Sequence, residues 1–206
     1  MSGVDDMVDA LVEVARPIIR QSFDANSCIA STRIGIDALA YFGVKAEPLP
    51  VVAMVFNAEA GERINSGEDI EQLMLDATDR DAPGGPWSIG IGTGMDTKDG
   101  QWAGHLILTV PDERIICDLS FDQISRPHKN LMTEPYWVRA DDDKWWAGTS
   151  PALGLSAGEA MVFLDQARPP DPRGYLTSPN WALTGMYRSA FKRTTGEVIR
   201  AMRNAI

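Results

Sequence analysis

GHLILTVPDERIICDLS, residues 104–120, sets two apolar runs on either side of a Pro-Asp pair. Runs rich in Ile, Leu and Val that flank such a pair read as a β-hairpin. A turn centred between Pro111 and Asp112 sets His105 opposite Asp118 across the ladder. Directly opposed side chains share a face, with Cβ atoms about 4.5–5.5 Å apart. That spacing suits an imidazole held and oriented by a carboxylate. Cys117, next to Asp118, then points to the opposite face and reads as core.

Around this hairpin the chain reads as an ordinary globular protein. Its 206 residues are expected to form a single domain, 1–206, with 44% hydrophobic and 23% charged residues. A formal charge of −10 opposes binding to phosphate backbones, so no nucleic-acid partner is expected. No run approaches about 18 apolar residues, so no membrane span is expected. The acidic start, MSGVDDMVDALVEVARP, lacks the pattern of a signal peptide. Two cysteines cannot build a disulfide framework, which points to a reduced, cytoplasmic setting.

Along the chain, Val4, Met7, Val8, Leu11, Ala15 and Ile18 recur at helical spacing over 4–22, with Pro17 expected to kink or divide the helix. Asn26 or Ser27 is placed to cap a second helix, CIASTRIGIDALAYF, which Gly43 ends. A buried strand is expected from about Val51, its prolines lying before the apolar run. SGEDIEQLMLDA reads as a short helix capped by Ser66, and TDRDAPGGP as a loop. WSIGIGT and WAGHLILTV read as strands joined by the turn GMDTKDGQ, and YWVRA and AMVFLDQA as further strands. RPPDPRGYLTSPNW reads as a loop, and residues 187–205 as a terminal helix with Tyr187, Phe191, Val198 and Met202 on one face.

Cys28 opens the second helix, where unpaired backbone N–H groups and the positive end of the macrodipole favour a thiolate. A thiolate is the attacking form, and a neighbouring histidine can hold the proton it gives up. The residues NSCIASTRIGIDALAYFGVKAEPLPV and GHLILTVPDERIICDLS set a cysteine at a helix start, then a histidine on a strand, then an aspartate on the next. In that order the chain resembles the transglutaminase-like branch of the papain-like superfamily over roughly residues 20–126.

The resemblance implies an α+β fold, an antiparallel sheet packed against the helix that starts at the cysteine. It also implies a Cys28–His105–Asp118 triad: nucleophile, base and acid, and orienting carboxylate. Gln21, seven residues before Cys28, is a candidate oxyanion donor, with the Cys28 N–H and the Asn26 side chain as rivals. The activity implied is hydrolysis of an amide or peptide bond, or acyl transfer, on a peptide, protein or small amide, without a cofactor.

Two other readings stand beside it. Many members carry an aromatic residue beside the cysteine, whereas Ser27 and Ile29 stand here, and that departure argues for an inert binding or structural module. The same triad order also fits an arylamine N-acetyltransferase-like enzyme. Elsewhere, no His or Cys pair stands at ligand spacing for zinc, and His128 reads as a solvated loop residue. IGIGTG, residues 89–94, mimics part of a dinucleotide fingerprint but lacks the following helix, so its glycines read as strand ends or sites of close backbone approach. DDDKWW, residues 141–146, reads as a solvated turn with cation binding as the alternative, and the Trp-rich stretch 137–146 as a second option for lining a substrate cleft.

Overall fold

The computed structural model describes residues 3–23, 27–69, 73, 85–93, 102–150, 152–169 and 171–206. It is a mixed α+β architecture whose seven strands pair antiparallel throughout. The strands are β1 (Glu47–Phe56), β2 (Ser88–Ile91), β3 (His105–Val110), β4 (Ile115–Asp118), β5 (Tyr136–Arg139), β6 (Ala152–Ala157) and β7 (Ala160–Asp165). Their order is β5-β4-β3-β1-β7-β6, with β2 also on β1. The long strand β1 joins the two halves: Glu47–Val51 pair with β3, whereas Val52–Phe56 pair with β7.

Three helices cover one face of the sheet: α1 (Val4–Ile19), α2 (Cys28–Tyr41) and the C-terminal α4 (Tyr187–Ala205). A short α3 (Ala58–Asn65) follows β1. Val8, Leu11, Ile19, Ile34, Leu39, Phe191, Val198 and Met202 meet Leu108, Val110, Ile115, Cys117 and Leu119 in one core. The other face carries a second core, in which Ile107 and Ile116 meet Val51, Val162, Leu164, Phe121 and Trp145. Covered on both sides, β3 and β4 are buried at every residue, which is why they read as continuous apolar runs rather than alternating ones. Gly35 brings α2 down onto the sheet: a Cβ there would stand 2.7 Å from Leu119 Cδ1 and 2.9 Å from Leu108 Cδ1.

The hairpin differs from its expected register. Leu108 faces Cys117, Thr109 faces Ile116 and Val110 faces Ile115. Four residues make the turn: Pro111–Glu113 form a 3-10 turn and Arg114 takes φ +55°. The centre of the turn moves by one residue and the pairing by two, so the continued register sets Ile107, not His105, against Asp118. A two-residue shift returns every side chain to the same face. His105 and Asp118 therefore stay on one face as diagonal neighbours, with Cys117 on the other.

Other boundaries move for identifiable reasons. Pro17 does not divide α1, which continues to Ile19, so the proline falls in its last turn. The strand expected from Val51 begins at Glu47 and includes Pro48 and Pro50. Since β7 joins β1 only from Val52, a missing N–H on that side of the first half interrupts no described ladder. Ser66 ends α3 instead of starting a helix, its hydroxyl donating to Arg63 O. Much of the helix expected after it, the 94–101 turn, most of the 78–86 loop and Asn26 lie outside the described residues. β6 was not expected, and the loop expected at 168–181 gives way to a 3-10 turn at Gly174–Thr177 and a helical turn at Pro179–Ala182. α4 is a helix as expected, burying Phe191, Thr194, Val198 and Met202, whereas Tyr187 is exposed.

Candidate active site

The site is built where the first turn of α2 meets the start of β3. Thr32, one turn beyond Cys28, donates its hydroxyl to Leu106 O at 2.9 Å and ties the helix to the strand beside His105. Gly92, at the end of β2, closes on the same strand. It takes φ +77°, and a Cβ there would stand 2.6 Å from the His105 backbone nitrogen. This glycine of IGIGTG thus serves close backbone approach.

His105 is 1% exposed and Asp118 2% exposed. The imidazole Nε2 lies 2.7 Å from Asp118 Oδ2. The other carboxylate oxygen accepts from the Ser120 N–H at 2.9 Å and the Ser120 hydroxyl at 3.0 Å, which fixes its orientation. Burial alone would lower the His105 pKa, but the charge and hydrogen bond of Asp118, joined by those of Cys28, raise it from 6.5 to about 10. The Asp118 charge thus favours the imidazolium form of His105. With Nε2 held by Asp118, Nδ1 is the ring nitrogen left for the thiol. Gln123 Nε2 lies 3.5 Å from Nδ1, beside the ring.

Cys28 is partly exposed at the first position of α2. Ser27 occupies the N-cap position but makes no side-chain cap; its hydroxyl accepts instead from Arg16 Nη1 at 3.2 Å. The same nitrogen lies 3.4 Å from Ser31 Oγ, and Arg16 Nε lies 2.6 Å from Asp122 Oδ1. Sequence reading passed over Arg16, although a cation inside the apolar stripe of Leu11, Ala15 and Ile19 is a readable anomaly. Gln123 carried no such signal, since DQIS has no periodic pattern.

The remaining candidates take other places. Gln21 is exposed in the turn after α1, and the glutamine beside the histidine is Gln123. Cys117 is fully buried in the first core, and burial, with the nearby Asp118 charge, pushes its thiol pKa well up. His128 is exposed. In DDDKWW, Asp142 caps a helical turn by accepting from Lys144 N and Trp145 N, Asp143 pairs with Arg114, and Trp145 is core. Among the described residues no three His, Cys, Asp or Glu side chains gather as metal ligands, and no helix is long and apolar enough to cross a membrane. Two grooves of about 310 and 290 Å³ lie at Ile64–Phe163 and Asp6–Ile206, and neither is lined by Cys28, His105 or Asp118. No family model, curated protein or solved structure matches the chain.

Proposed function

We propose that the protein is a thiol hydrolase or acyltransferase of the transglutaminase-like, papain-like kind, acting on an amide, peptide or related acyl bond. One observation carries this reading: a buried imidazole is held by Asp118 through one nitrogen where the helix that Cys28 opens is tied to the start of its strand. Catalysis begins with the Cys28 thiolate beside the His105 imidazolium. The sulfur attacks the carbonyl carbon and forms a C–S bond. The imidazolium then gives its Nδ1 proton to the leaving amine as the C–N bond breaks, leaving a thioester and a neutral ring. Water or a second amine attacks the thioester, His105 takes its proton, and C–S cleavage restores the ion pair.

Asp118 remains a carboxylate throughout and keeps Nε2–H oriented, the role of the third residue in such triads. Negative charge on the carbonyl oxygen meets the Cys28 N–H, one of the four that a helix start leaves without intrahelical partners. The net charge of −10 suits neutral or basic substrates better than anionic ones.

The test is thiol labelling with iodoacetamide at about pH 6, where an activated thiolate reacts and an ordinary thiol is sluggish. Mass mapping should find Cys28 modified ahead of Cys117. His105→Ala should slow that labelling, and Asp118→Asn should impair thioester formation with a chromogenic acyl ester more than it impairs folding. Preferential labelling of Cys117, or indifference to His105→Ala, would leave an inert module as the better reading.

A further inference from the structure

We propose that Arg16 is a positioning residue for Cys28, acting through Ser27 and Ser31 and held by Asp122; this rests on the thiol-enzyme reading above. The Arg16 side chain is 5% exposed. Its Nη1 spans Ser27 Oγ, immediately before the nucleophile, and Ser31 Oγ, one turn after it. Ser31 N–H in turn closes on Ser27 O at 2.8 Å. The guanidinium therefore grips the first turn of α2 at both ends. A planar fork does this with one group, whereas an ammonium is a point charge on a flexible stem.

Stability is a poor account of this arrangement. Removing two charges from water costs about as much as their attraction returns, and apolar residues of equal volume often do as well. Geometry gives the better account. Asp122 belongs to Ser120–Gln123, where Ser120 holds Asp118 and Gln123 stands at His105 Nδ1. Phe121 anchors the same segment in the second core. In a 3-10 turn successive side chains are splayed by about 120°, so neighbours in the chain can reach different members of a site. One turn thus fixes the carboxylate, abuts the imidazole and, through Arg16, sets the cysteine.

The experiment measures alkylation rates of Cys28 by iodoacetamide from about pH 5 to about pH 9, with thermal melting of each unlabelled protein. Arg16→Lys and Asp122→Asn should slow Cys28 alkylation at about pH 6 by roughly tenfold or more and displace its pH profile, as small misplacements of reacting groups do. Ser27→Ala should give part of that effect, and combining it with Arg16→Lys should give less than the product of the two, because both act on one contact. Should Arg16→Lys not fold, Asp122→Asn and Ser27→Ala carry the same test. A lowered melting temperature with an unchanged alkylation profile would overturn the proposal and leave Arg16 a structural residue. Wild-type protein that fails to alkylate Cys28 ahead of Cys117 would instead remove the thiol-enzyme reading, and this proposal with it.

Discussion

The raised pKa of His105 makes a prediction whose sign can be worked from its neighbours. Burial lowers the value, while the Asp118 charge and hydrogen bond, then those of Cys28, bring it from 6.5 to about 10. The folded protein therefore binds a proton that the unfolded chain releases near neutrality. A raised value contributes stability that is complete below the unfolded value and is lost as pH climbs toward the folded one. At about 1.4 kcal/mol per pH unit for one proton, His105 alone gives up roughly 3 kcal/mol over the first two units above its unfolded value, of a typical total of about 5–15. That interval lies below 9.0, where the buried Cys117 begins to add a loss of the same sign.

If the proton on His105 is the one given up by Cys28, folding takes up no net proton and the fall vanishes. The assay is two-fold: the His105 ring resonances in His128→Gln protein, which has a single imidazole, and urea unfolding across the same pH range. A ring that stays protonated through about pH 8.5 with a flat stability profile marks the ion pair; a protonated ring with a falling profile marks an inert thiol. Asp118→Asn removes the two largest raising influences and should lower the His105 pKa clearly. A His105 that titrates at or below 6.5 in the wild type, or is unmoved by Asp118→Asn, would refute the reasoning.

Two further substitutions probe the frame around the site. Asn57 is buried, accepts from Ala60 N and Trp87 N, and donates to Gly85 O and Lys129 O; Asn57→Ala should cost about 3 kcal/mol or more in urea unfolding, since several buried groups lose partners at once, and a cost under about 1 kcal/mol would show that these bonds are readily replaced. Gly92→Ala forces a Cβ at φ +77° to within 2.6 Å of the His105 nitrogen and 2.9 Å of Val51 O. It should cost about 2 kcal/mol or more and shift the His105 ring resonances, whereas unchanged resonances would show that the two strands part without moving the histidine.

What the sequence made legible follows the strength of its local signals. α1 and α4 announce themselves by apolar spacing, α2 by the polar residues before it and the glycine after it, and β3–β4 by two runs around Pro-Asp. β6 did not, because ALGLSA mixes small and polar residues and its burial comes from pairing with β7 across Gly158, not from its own apolar content. α3 was hidden for a similar reason. Its cap, Asn57, follows directly on Phe56 of β1, so strand and helix share a boundary with no intervening loop. The clamp on the site was out of reach for another reason: Arg16 and Asp122 are 106 residues apart, and no local pattern couples them.

The hairpin shows why the shared face of His105 and Asp118 could be read correctly from a turn that was read incorrectly. A two-residue turn and the observed four-residue turn differ by one residue at the centre and by two in pairing. Side chains on a strand alternate with a period of two, so this error preserves every face. His105 and Asp118 move from directly opposed to diagonal positions, and the long imidazole spans the extra distance to reach Asp118 Oδ2 at 2.7 Å. A three-residue turn would have shifted the pairing by one and turned Asp118 into the helical core, with Cys117 taking its place beside the histidine. Arg114 at φ +55° closes the four-residue turn that prevents this. The face shared by His105 and Asp118 thus depends on a residue that touches neither of them, and on a parity that the Pro-Asp signal alone could not supply.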